Sequence, residues 1–184
     1  MSLFANLFSR TKTEKKAKVL ILGLAAAGKT TLTKYIRYGE FVGDTIPTIG
    51  QNIDSIEFEG WKITTIDVAG QQDFRFLWDT HYPGTSAVVF VIDAADIESL
   101  PEARDILKSH VFNNPQLDNV PVLVIANKQD LPGSVEAPLL VQLLGLHLDM
   151  SERTFAIFDA SILYGSGVIE AFTWVVNQLE IADK

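Results

Sequence analysis

Cysteine is absent from the 184-residue chain, which excludes disulfides and thiolate-held metal sites and says nothing of redox compartment. No apolar run approaches the roughly 20 residues of a membrane span. A cleavable signal peptide is not visible either: Asn6 interrupts the apolar N-terminal stretch, and its basic residues follow it rather than precede it. The expectation is a soluble, cytoplasmic chain. Positive charge is scarce as well. With 15 Lys and Arg against 23 Asp and Glu, the net charge is −8 and the pI near 4.8, which argues against nucleic acid as a partner. Internal repeats and low-complexity tracts are missing too. What remains is 47% hydrophobic with a mean hydropathy of +0.18, the composition of one folded domain with a sizeable core.

The charge is uneven. Residues 1–18 carry Arg10, Lys12, Lys15, Lys16 and Lys18 against Glu14, a local +4 that leaves −12 for the rest. Before these cations, Leu3, Phe4, Leu7 and Phe8 fall on one face of a helix. Residues 1–17 therefore read as an amphipathic helix and basic linker, and 18–184 as the main domain. An apolar helix followed by lysines suits the surface of an anionic membrane, or it packs permanently on the domain. Ser2 stands where N-myristoylation needs glycine, so that anchor is absent.

Gly23-Leu24-Ala25-Ala26-Ala27-Gly28-Lys29-Thr30 fits the phosphate-loop pattern G-x-x-x-x-G-K-[ST]. It stands between an apolar strand-like run and a helix-like segment, the context that makes an anion site of backbone N–H groups and a helix start. Lys29 is suited to β- and γ-phosphates, and the Thr30 hydroxyl to Mg²⁺; Ala25, Ala26, Ala27 and Thr31 complete the cradle. Strands are expected near 18–23, 51–58, 61–67, 86–92, 120–126 and 154–159, with a tight turn at Glu59-Gly60. Helices are expected near 29–38, 97–110, 135–145 and 167–180. This alternation predicts an α/β fold: a six-stranded, mostly parallel sheet flanked by helices, with its ligand at the carboxyl ends of the strands.

Further motifs fall at those ends. In Thr45-Ile46-Pro47-Thr48-Ile49-Gly50, Thr48 offers a hydroxyl to Mg²⁺ and an N–H to a γ-phosphate. Asp67-Val68-Ala69-Gly70-Gln71 fits D-x-x-G-Q: Asp67 suits Mg²⁺ through water, the Gly70 N–H the γ-phosphate, and the Gln71 amide the attacking water. Asn127-Lys128-Gln129-Asp130 fits N-K-x-D. The Asp130 carboxylate accepts from guanine N1–H and its 2-amino group, where adenine presents a lone pair and no amino group. Asn127 fixes the loop, and the Lys128 stem covers the ring. In Asp159-Ala160-Ser161 the Ala160 N–H is expected to meet guanine O6. His110 and His147 read as surface or packing residues, and Trp61 and Trp174 as hairpin and core.

Taken in order, these elements resemble the small GTPases, and in detail the ADP-ribosylation factor (Arf) family. The marks are Gly28-Lys29-Thr30-Thr31, Ile46-Pro47-Thr48-Ile49-Gly50, Asp67-Val68 with Gly70-Gln71, Leu77-Trp78, Asn127-Lys128-Gln129-Asp130-Leu131-Pro132 and the N-terminal Phe4-Ala5-Asn6-Leu7-Phe8. The resemblance implies a slow GTPase cycling between GDP and GTP with Mg²⁺, served by an exchange factor, an activating protein and effectors. It also implies peripheral membrane association and a role in vesicle trafficking, with loops 40–50 and 68–82 answering to the γ-phosphate and the hairpin between them shifting register. Four features depart from the family. Ser2 removes the lipid anchor that many members carry, Ala25 replaces the usual aspartate, Ala69 replaces the first of two glycines, and Gln51, Ile66 and His81 stand at three positions, usually aromatic, that effectors read. A weakly hydrolysing, guanine-nucleotide-dependent scaffold is the alternative reading. The apolar second loop, with Phe74, Phe76, Leu77, Trp78 and Tyr82, is either a protein-binding face or local core.

Overall fold

The computed structural model of the protein describes residues 15–43, 50–70, 72–146 and 153–183. The expected N-terminal helix, Thr48, Gln71 and His147 lie outside these residues. Six strands form one sheet: β1 (Lys16–Leu22), β2 (Gln51–Phe58), β3 (Trp61–Val68), β4 (Ala87–Asp93), β5 (Val122–Asn127) and β6 (Phe155–Asp159). Their order across the sheet is β2-β3-β1-β4-β5-β6. Only β2 runs antiparallel to its neighbour.

Alternation along the central strands fills two cores. Val19 and Ile21 of β1 face α1 (Lys29–Tyr38) and α4 (Val168–Ala182), meeting Leu32, Ile36, Phe172 and Val175. Leu20 and Leu22 face the other way, toward α2 (Leu100–Ile106) and α3 (Ala137–Leu143), with Ala103, Ile106 and Leu140. Side chains of period two buried on both sides are what a parallel sheet between two helical layers requires. The sequence reading placed the first strand at 18; it begins at Lys16, so two residues of the supposed linker already pair with β3, Lys16 opposite Lys62 and Ala17 opposite Ile63.

The helical segment expected at 97–110 is composite. A 3₁₀ turn at Ile97–Ser99 leads into α2, where Pro101 occupies a first-turn position that needs no N–H partner. A π-helical turn at Leu107–Phe112 follows, closed by the Asn113 N–H on Lys108 O at 2.8 Å. The wider turn brings Leu107, Val111 and Phe112 all into the core. A second unexpected element is the 3₁₀ segment Gln72–His81. It divides the apolar second loop: Trp78 and the following Tyr82 are fully buried, whereas Phe76 is 67% exposed.

The β2–β3 hairpin turns at Glu59 (φ +44°) and Gly60 (φ +86°), two left-handed residues in a two-residue loop. Its tip is tied to α4. Phe58 meets Phe172 edge-on at 5.4 Å, Thr173 Oγ1 lies 3.2 Å from Glu59 Oε1, and the Trp61 indole N–H donates to Glu180 Oε1 at 2.9 Å. Lys15, just before β1, joins the same corner by ion pairs to Glu180 and Asp183, with its ammonium 5.1 Å from the Trp61 ring centre.

Candidate functional site

The loop after β1 turns on residues in unusual conformations: Gly23 (φ +139°), Ala26 (φ +61°) and Gly28 (φ +107°). Two of these must be glycine for a second reason. A Cβ on Gly23 would stand 2.2 Å from Val91 O, and one on Gly28 2.4 Å from Asn127 Nδ2, far inside contact distance. Ala25 and Ala26 are exposed on the loop, while Ala27 is buried beneath it. Lys29 opens α1 and is 6% exposed, with its ammonium bent back to donate to Leu24 O at 2.7 Å. A buried cation under a glycine loop at a helix start is the electrostatic setting that polyphosphate needs.

The Thr30 hydroxyl donates to Asp67 Oδ2 at 2.6 Å. Asp67 stands opposite Ile21 in the β1–β3 register and is 1% exposed. This pairing is the fit for Mg²⁺: hard oxygens of a hydroxyl and a carboxylate, brought together beside the phosphate loop. Among the described residues no cluster of three or more His, Asp or Glu could cage a metal, and Mg²⁺ shared with substrate phosphates needs none. Three residues on, Gly70 rides directly over the loop. A Cβ there would come 2.2 Å from Gly23 O and 2.6 Å from Lys29 Nζ. Its neighbour Ala69 is held through both backbone groups, the N–H donating to Gly50 O at 2.9 Å and the carbonyl accepting the Trp78 indole N–H at 3.1 Å. Ala69 keeps a negative φ, so its methyl is accommodated in this conformation.

On the other side of the loop, Asn127 joins the two halves of the site. Its Nδ2 donates to Ala27 O at 2.8 Å, and its Oδ1 accepts the Ile162 N–H at 3.1 Å. The Ser161 hydroxyl donates to Asp130 Oδ1 at 2.5 Å and so fixes the carboxylate expected to read the base. Gln129 braces the loop by donating to Val135 O at 2.9 Å. Two expectations are corrected here. The Ala160 N–H does not face a base; it donates to Ala126 O at 2.9 Å, because the β5–β6 ladder runs one residue past Asp159. The Asp159 carboxylate does not face a base either, since it accepts the Ala137 N–H at 2.7 Å and caps the start of α3. The N–H that reaches the base loop belongs to Ile162, two residues beyond Ala160, and nothing in an isoleucine signals that role in a sequence.

At the three positions where the sequence departs from the aromatic pattern, Ile66 is in the core at 4% exposure, and the Gln51 amide is hydrogen-bonded to His81 Nε2. Burial, and then the nearby Lys18 charge, hold the His81 imidazole below its ordinary value of 6.5. Lys18 itself donates to His81 O at 2.5 Å and Pro83 O at 2.9 Å, and burial lowers its pKa.

Comparison with known proteins agrees with this geometry. The model of the ADP-ribosylation factor family matches residues 1–179. ADP-ribosylation factor 3 of Arabidopsis thaliana is 35% identical over 178 residues, covering 97% of this chain and 96% of its own; ADP-ribosylation factor 1 of Brassica rapa subsp. pekinensis gives the same figures. Among solved structures, the Arl6 (BBS3) small GTPase of Trypanosoma brucei with the bound nucleotide analogue GppNp superposes with a TM-score of 0.83 at 30% identity. It covers 91% of this chain and 99% of that one. Members of the ADP-ribosylation factor family are GTPases that bind GTP or GDP with Mg²⁺, and this chain belongs to that family of small GTPases.

Proposed function

We propose that the protein is a membrane-recruited switch, in which Lys29, Thr30, Thr48, Asp67, Gly70 and Gln71 form the hydrolytic half of the site and Asn127, Lys128, Asp130, Ser161 and Ile162 the guanine half. The observation that carries this reading is the double role of Asn127, one side chain bonded to the phosphate loop at Ala27 and to the base loop at Ile162. It sets the spacing of the two halves to a single nucleotide.

Thr30, Thr48 and Asp67 would hold Mg²⁺, which would supply charge neutralisation to the substrate's polyphosphate. The chain's own part is positioning. Lys29 leaves Leu24 O for the phosphates, the Gly70 N–H marks the γ-phosphate, and the Gln71 amide orients water for in-line attack. Intrinsic turnover is slow, and a partner supplies further positive charge to the transition state. The residues before β1 form the membrane-binding helix and basic linker, and the chain from Lys16 onward the GTPase domain. Specific effectors follow from the polar Gln51–His81 pair and the exposed Phe76, a face unlike an all-aromatic one.

Gln71→Leu tests the hydrolytic role. Single-turnover hydrolysis of bound GTP should slow by about a hundredfold while GDP affinity holds. An unchanged rate with intact affinity would remove Gln71 from the reaction.

A further inference from the structure

The Lys128 ammonium leaves the base loop and ends on β4. Its backbone is left-handed at φ +67°, a conformation that costs a residue with a side chain and is kept where surrounding contacts over-determine it. The contact here is Asp93. Lys128 Nζ lies 2.5 Å from Asp93 Oδ2, and the second oxygen of the same carboxylate accepts the Ala95 N–H at 3.1 Å. Asp93 ends β4 opposite Asn127 in the parallel register, and the next residue's N–H donates to Asn127 O at 3.0 Å. The carboxylate is therefore aimed by a rigid strand and held at two points.

An ion pair whose side chains remain 31% and 18% exposed does little for stability alone. Its consequence is conformational: the four-carbon stem of Lys128 is stretched between the base loop and β4 before any ligand arrives. We infer that Asp93 is a positioning residue for nucleotide binding, holding Lys128 extended so that its stem is a pre-formed apolar wall of the base pocket. This rests on the guanine-nucleotide reading above. The rotamer freedom of a long side chain is given up during folding instead of at binding, which favours retention of the ligand. A wall against the ring face does not distinguish purines, whereas Asp130 reads the ring edge. Loss of Asp93 should weaken guanine and hypoxanthine nucleotides alike.

The test is the dissociation rate of GDP and of IDP from the full-length chain, Asp93→Asn, Lys128→Met and the double variant. Asparagine keeps an oxygen for the Ala95 N–H while removing the charge, and methionine keeps an apolar stem without the ammonium. Asp93→Asn should speed release of both nucleotides by the same factor, about tenfold, and should add nothing in the Lys128→Met background. An equal acceleration in both backgrounds would mean that Asp93 acts through the Ala95 turn, and unchanged release would mean that it does not act at all. Either overturns the inference alone. A parent chain that retains neither nucleotide would overturn the underlying reading as well, and shows itself before any variant is made.

Discussion

At the scale of single residues, the site is a set of short side chains each tied to a second loop. Thr30 reaches Asp67, Asn127 reaches Ala27 and Ile162, and Ser161 reaches Asp130, so displacement of one loop is felt by the others. His81 belongs to this scale through its effect on acid stability. Its folded pKa lies below 6.5, because burial and the Lys18 charge oppose protonation. The unfolded chain then binds more protons in the window below 6.5, so the contribution is fully present above that value and is lost as the pH falls through it. His81→Gln, which has no ring to titrate, should show a shallower fall in melting temperature over roughly the first unit of pH below 6.5. Parallel melting curves for the two chains would show that His81 has no part in acid stability.

At the scale of elements, the hairpin and α4 form a unit. Phe172 is buried and packs edge-on against Phe58, so Phe172→Ala should destabilise the GDP-bound protein by about 3–5 kcal/mol in urea unfolding. A loss below about 1 kcal/mol would mean that the hairpin tip repacks freely. All six strands were legible in the sequence, because β-branched runs bounded by glycine, proline and aspartate give an unambiguous period. The helices at 29–38 and 167–180 were legible for the same reason. The 3₁₀ segment Gln72–His81 was not, since its order comes from Trp78 bonding to Ala69 O and from Tyr82 in the core, contacts distant from any local pattern. Within the candidate site, Thr30, Asp67, Asn127 and Asp130 stand out in the sequence by their motifs and are bonded across loops in the structure. Residues acting through a backbone N–H, as Ile162 does, or through an ion pair from another strand, as Asp93 does, leave no signature. Asp159 and Ala160 close the last strand where the sequence ends it, but nothing local signals that Asp159 accepts the Ala137 N–H or that the Ala160 N–H bonds to Ala126 O.

At the scale of the whole molecule, charge is divided between a +4 leading segment and a −12 remainder. Among the described residues no helix is long and apolar enough to cross a membrane, and the membrane recruitment proposed above is tested through the charge of the leading segment. Full-length protein loaded with a non-hydrolysable GTP analogue should float with anionic liposomes and the GDP-loaded protein should not, with added salt weakening the attachment. Flotation in neither state would make the leading helix a fixed part of the fold and end the membrane reading. The corner where Lys15, Trp61, Glu180 and Asp183 meet has a practical bearing on how such material is made. A purification handle or fluorescent protein joined directly after Lys184, one residue beyond Asp183, would crowd the tip of the hairpin and prise at the Glu180 contacts, so a fusion there calls for a long spacer.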